Sequence, residues 1–317
     1  MPASYREIDY RIRPGKYVER MMMIEAFRRL RFASVESYQY VGLGSVYFSD
    51  FMLVHRALGI HKLVSIERAV HDKNRFLGNI PFSSVEMLWG DTATELAKVD
   101  LSLRSIVWLD YDGRLSASML NDITSVASRA TSGSVLAVTV QCKFDRVAGE
   151  HGEDASVQTL VDALGADRIP YNLKTEDIEG QGTGRLFRKV IVEEVDRALS
   201  ARNAILHKTH QFQARQVFNF RYEDGVPMMT VAVVIFDAGQ RGLLDLCAFE
   251  ALDFVRNGEE EFKIAIPKLT PREIKLLEAQ MPNDDPSKIV LGPIPPKDAA
   301  QYTKLYRFFP NIAFVES

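Results

Sequence analysis

Cysteine is almost absent. Two residues, Cys142 and Cys247, are all that 317 positions hold, too few for a disulfide framework and too far apart for a cysteine metal motif. They are expected to be small buried hydrophobes in a reducing cytoplasm. No apolar run approaches the ~20 residues a membrane span needs, so no membrane association is expected. Met1 to Arg13 is polar and charged, unlike a secretory leader. Charge of one sign is not in excess either. The 39 Lys and Arg residues oppose 42 Asp and Glu, a formal net charge of −3, which gives nucleic acid no support as a partner, although it leaves that open. The six histidines (His55, His61, His71, His151, His207, His210) show no metal-ligand or catalytic-triad spacing. No metal is expected.

What is present is an ordinary globular composition, 46% hydrophobic and 26% charged, arranged as alternating strands and helices. Tyr38–Val41 reads as a strand running into Gly42-Leu43-Gly44, and Ser49–Leu58 as a helix. Further strands are predicted over Lys62–Ile66, Val85–Leu88, Ser105–Leu109 and Ser134–Val140, with helices between them. The strands are continuously apolar, as strands covered on both faces should be. Gln216–Tyr222 and Val226–Phe236 flank Glu223-Asp224-Gly225, a hairpin signature. These elements predict an α/β fold, a doubly wound and mostly parallel sheet closed by an antiparallel hairpin. The expected division is an N-terminal helical cap over 1–37, a Rossmann-like domain over 38–238 with an insertion at about 144–184, and an extension over 239–317. Gly180–Gly184 reads as a flexible loop. Phe262–Ile266 reads as a strand, and Thr270-Pro271-Arg272-Glu273 as the capped start of a helix.

One segment breaks the charge balance. Between Arg11 and Arg31 stand seven basic residues (Arg11, Arg13, Lys16, Arg20, Arg28, Arg29, Arg31) and two acidic ones, Glu19 and Glu25. A solvated helix face and an anion site both fit that count.

In an open parallel sheet, ligands bind outside the carboxyl ends of the strands. Four such ends carry polar chemistry. Gly42 and Gly44 follow the first strand, where absent side chains allow positive φ and close backbone approach. Glu67 ends the second, where a carboxylate accepts both hydroxyls of a ribose. Asp91 follows the third in Gly90-Asp91-Thr92, where it accepts from an exocyclic adenine amine. Asp110-Tyr111-Asp112-Gly113 follows the fourth, where the reactive end of a ligand would lie. Each acid also has a plain structural reading as a cap or turn residue; their succession on consecutive strands favours a ligand.

This pattern resembles the class I S-adenosylmethionine-dependent methyltransferases, in a bacterial form, over Tyr38 to Phe236. The resemblance implies S-adenosylmethionine as cofactor. It places Gly42, Gly44, Ser45 and Phe48 around the methionine part, Glu67 and Arg68 at the ribose, and Asp91 and Thr92 at the adenine. Asp110 then touches the cofactor and, with Tyr111 and Asp112, carries the chemistry. Leu109-Asp110-Tyr111-Asp112 is also loosely similar to the Asp-Pro-Pro-Tyr motif of amino-group methyltransferases, with the prolines absent. Where many members have a third glycine, Val46 stands here. Arg13, Lys16 and Arg20, at the mouth in this architecture, are candidates for a cofactor carboxylate or substrate phosphate. The acceptor is open between nucleotide, nucleic acid and small molecule. The other reading is a catalytically silent nucleotide-binding or assembly subunit, with a protein partner on the C-terminal extension.

Overall fold

The computed structural model describes residues 13–149, 152–283 and 285–310. Its helices and strands run in the order α1 Pro14–Phe27, β1 Gln39–Leu43, α2 Ser49–Leu58, β2 Lys62–Glu67, α3 Lys73–Gly78, β3 Val85–Trp89, α4 Thr92–Lys98, β4 Ser105–Arg114, α5 Ala117–Arg129 and β5 Ser134–Gln141. There follow α6 Ser156–Leu164, α7 Thr175–Ile178, α8 Gly182–Asn203, β6 Phe212–Glu223, β7 Pro227–Asp237, α9 Arg241–Leu246, β8 Phe262–Lys263, α10 Pro271–Glu278 and α11 Pro296–Leu305.

Among the described residues the strands form one sheet in the order β3-β2-β1-β4-β5-β7-β6-β8. The first five are parallel to one another, and β7 runs antiparallel between β5 and β6. This is the doubly wound, hairpin-closed α/β fold that the alternating pattern predicts. Alternation along each central strand sends successive side chains to opposite faces. Tyr40, Trp108, Ala137 and Ala232 pack on one face beneath α1 and α2. Val41, Val107, Leu109, Val138 and Val231 pack on the other beneath α5 and α8. A small separate core, built on Ile274, Leu277, Ile289, Ile294 and Tyr302, holds α10 and α11 together.

Three local features depart from the sequence pattern. Gly182 and Gly184 lie in the first turn of α8 and not in a loop. A Cβ on Gly182 would fall 2.0 Å from the Asp177 carbonyl, so glycine lets α8 start directly against α7. Asp110 to Gly113 continue β4, which resumes pairing with β5 past a register shift. The strand predicted over Phe262–Ile266 shrinks to two residues beside β6.

Candidate active site

The carboxyl edge of the parallel strands is stitched by loop hydrogen bonds. The Gly44 N–H donates to the Ile66 carbonyl at 2.8 Å, and the Gly90 N–H to the Glu67 carbonyl at 3.1 Å. Neither Gly42 nor Gly44 has positive φ, contrary to the expected use of these glycines. Their smallness serves packing. A Cβ on Gly42 would lie 3.0 Å from the Tyr40 hydroxyl, and one on Gly44 would lie 2.6 Å from Ser65 Oγ and 3.4 Å from Glu67 Oε2. The left-handed residue of the turn is Phe48, with φ 46°. That conformation turns its ring inward against Phe51 and Phe76, so Phe48 is fully buried and does not line the edge. Ser45 stays half-buried in the turn.

Glu67 stands beside Gly44. Its Oε1 accepts the Ala69 N–H at 2.7 Å, and its Oε2 is the oxygen facing the glycine. Burial pushes the Glu67 carboxyl above its ordinary range, against the hydrogen bonds from Ala69 and Arg68, and the Asp112 charge adds to the rise. Asp112 is exposed and near enough to be felt there. Arg68 is exposed next to it. Asp91 is exposed and caps α4 through the Ala93 N–H at 3.2 Å, with Thr92 half-buried beside it.

The Asp-Tyr-Asp stretch divides between the two faces, because it is strand. Tyr111 points into the α5 side, where its hydroxyl donates to Asp122 at 2.8 Å in the core. Tyr111 therefore does not join Asp110 at the edge, contrary to the role expected for it. Burial and the Asp122 charge push its phenol far up. Asp110 points to the α1 side, and 20% of its side chain is exposed.

Lys16 and Arg20 reach this edge, but as internal ion pairs. Lys16 Nζ lies 2.7 Å from Asp110 Oδ1, 2.9 Å from Glu19 Oε2 and 3.2 Å from the Tyr222 hydroxyl. It also sits 4.3 Å over the Trp108 ring. The contacts to Asp110 and Tyr222 are hydrogen bonds and that to Glu19 is an ion pair, so the buried ammonium is engaged within the fold. Burial draws Lys16 down, but Asp110 and Glu19 outweigh it and hold the ammonium above its ordinary value. Arg20 pairs with Asp50 at 2.6 Å, also buried. An anion site built on Lys16 and Arg20 is thus replaced by pairing within the fold; Arg13, at the N-cap of α1, is half-buried.

Sequence reasoning missed Glu19, Asp50 and the hydroxyls near them. The signal was there: positions 16, 19, 20 and 23 share one helical face, and the charged three lie on the same stripe as Met23.

The edge fits a nucleoside-bearing cofactor on two counts. Two buried hydroxyls beneath the glycine turn, Tyr40 Oη and Ser65 Oγ, have no hydrogen-bond partner. A partly buried carboxylate keeps one oxygen turned to the glycine cradle. Among the described residues no three His, Cys, Asp or Glu side chains group as a metal site, and no helix is long and apolar enough to cross a membrane.

No curated protein matches the chain. Among solved structures it is similar to the O-methyltransferase TomG from Streptomyces achromogenes in complex with S-adenosylmethionine, at 15% identity, over 68% of this chain and 79% of that one, with a TM-score of 0.36. It is also similar to Trm1 from Pyrococcus horikoshii, in complex with S-adenosylmethionine, at 9% identity over 72% and 57%, TM-score 0.44. A chain from the Haloferax volcanii complex of the Trm112 methyltransferase activator matches at 14% identity over 38% of this chain and 51% of that one, TM-score 0.29; the match spans about half of that chain's length. A family model described as "Putative O-methyltransferase" covers residues 8–317. The chain belongs to that family.

Proposed function

We propose that this protein methylates an oxygen of its acceptor at the carboxyl edge of β1, β2, β3 and β4. Glu67 carries the reading: its Oε2, turned to Gly44, is where a ribose diol would be held. In this reading Gly42, Gly44 and Ser45 receive the methionine part, Arg68 borders the ribose, and Asp91 and Thr92 meet the adenine. Arg13 is left as the candidate for a carboxylate or phosphate. S-adenosylmethionine, when bound, supplies an electrophilic methyl group. Asp110 orients the acceptor hydroxyl and takes up its proton, within reach of a group held at the strand ends. Asp112 keeps the mouth acidic. Residues 1–37 act as the cap, 38–238 as the catalytic unit, and 239–317 as an extension whose exposed Leu276 and Val290 suit a protein partner. The two free, buried cysteines suit a reducing cytoplasm; burial pushes Cys142 up to about 11 and keeps it unreactive.

The pH dependence of cofactor binding tests this reading. A diol is accepted by the ionised carboxylate, and Glu67 protonates at higher pH than an ordinary glutamate. Calorimetric affinity for S-adenosylmethionine should be flat at neutral pH and fall on acidification, starting above the usual carboxylate range. Affinity unchanged as Glu67 protonates would exclude the assigned contact.

A further inference from the structure

We propose that Lys16 and Glu19 are positioning residues for Asp110, joined to it by a buried polar chain that runs from the sheet core to the site mouth. The inference rests on the reading of Asp110 as the group that meets the acceptor.

The chain begins at Trp108, an indole that can only donate. Its Nε1–H donates to Thr139 Oγ1 at 2.9 Å. Thr230 donates its one proton to Glu19 Oε1, so its Oγ1 accepts from the Thr139 hydroxyl at 2.7 Å. Glu19 Oε2 faces Lys16, and Lys16 faces Asp110. The carboxylate end thus sets the direction of both hydroxyls, with Glu19 Oε1 as the acceptor and Glu19 Oε2 meeting Lys16 as an ion pair. Trp108, Thr139, Thr230, Glu19 and Lys16 are buried; Asp110 is the member of the chain that opens to solvent. Elements β4, β5, β7 and α1 each contribute a member, and the contact to Asp110 itself comes through Lys16 on α1.

The depth of Lys16 is set independently. Asp224, in the hairpin turn, accepts the Gly15 N–H at 3.2 Å and the Lys16 N–H at 2.8 Å. The hairpin therefore fixes the start of α1, and α1 fixes Lys16. The other charged or titratable groups facing this ammonium are Arg20 with its partner Asp50, and Tyr222 on β6. Lys16 is buried and paired within the fold, so it acts by fixing Asp110 Oδ1 and leaving Oδ2 for the acceptor.

The test is a 15N titration of the Lys16 side chain in the full chain, wild type against Asp110→Asn. Wild-type Lys16 should remain an ammonium through its ordinary range. Without the Asp110 charge, burial should prevail and move its deprotonation down by about one pH unit or more. An unchanged Lys16 titration in the folded variant would overturn the proposal. In parallel, Lys16→Met combined with Glu19→Gln removes one charge of each sign and leaves the net charge of the site unchanged. With a tritiated methyl donor and a hydroxyl acceptor, the double variant should lose kcat at least tenfold with KM for S-adenosylmethionine nearly unchanged, and Lys16→Arg should recover part of it. A loss confined to KM would contradict positioning. Should wild type fail to bind S-adenosylmethionine, the functional reading fails, while the titration still decides whether Lys16 is tied to Asp110.

Discussion

Asparagine at position 110 should lower methyl transfer by roughly 10²–10⁴-fold, the range a general base contributes. The change is nearly isosteric. The amide oxygen can still accept from Lys16, so the side chain keeps its orientation at the mouth. What is lost is the capacity to take a proton from an acceptor hydroxyl. Cofactor affinity, which the proposed reading assigns mainly to the β1 and β2 ends, should move by less than about tenfold. Transfer of a tritiated methyl group to a panel of hydroxyl acceptors measures the first quantity, and calorimetry the second. A variant within threefold or so of wild type would remove Asp110 from the proton-transfer role.

Methionine at position 16 should be the most destabilising single change at the site. It strips the cation from Glu19, which is fully buried, and from Asp110, which is mostly buried. Removing one partner of a buried ion pair costs about 3–5 kcal/mol, because the remaining charge loses its compensation. The sign of its pH dependence follows from Glu19. Burial raises that carboxyl above its unfolded value, so the unpaired charge is a burden above the folded pKa and is relieved as pH falls through it. Urea unfolding of Lys16→Met should therefore show a deficit at neutral pH that narrows on acidification. Adding Glu19→Gln should recover a large part of it at neutral pH. A deficit below about 1 kcal/mol would mean the network is more hydrated than its geometry indicates.

The fold was legible because the central strands obey one rule. Strands covered on both faces must be apolar along most of their length, and Lys62–Ile66, Ser105–Leu109 and Ser134–Val140 are visible on that ground. The edge was legible for a related reason: once the strands are placed, Gly44, Glu67, Asp91 and Asp110 must follow their carboxyl ends. Side-chain direction was harder. Reading Asp110–Gly113 as a turn left Tyr111 free to face the site, whereas as strand it must face away from Asp110. Phe48 was placed at the cofactor because it follows the glycines in sequence. A left-handed backbone at a phenylalanine, which carries a steric cost, is not visible from residue type. The basic segment misled in a different way. A count of charges along α1 does not show that Asp110 and Asp50, from β4 and α2, neutralise Lys16 and Arg20. Long-range pairs of this kind depend on topology, and only the assembled sheet brings them together.

The central claim is that the β1–β2 edge holds S-adenosylmethionine through Glu67. Calorimetric titration of wild type and Glu67→Ala at neutral pH tests it most directly. Wild type should bind in the micromolar range, and the variant about 10–100-fold more weakly, as expected for hydrogen bonds to a charged group. Equal affinity in the two proteins, or no binding to wild type at millimolar ligand, would contradict the claim.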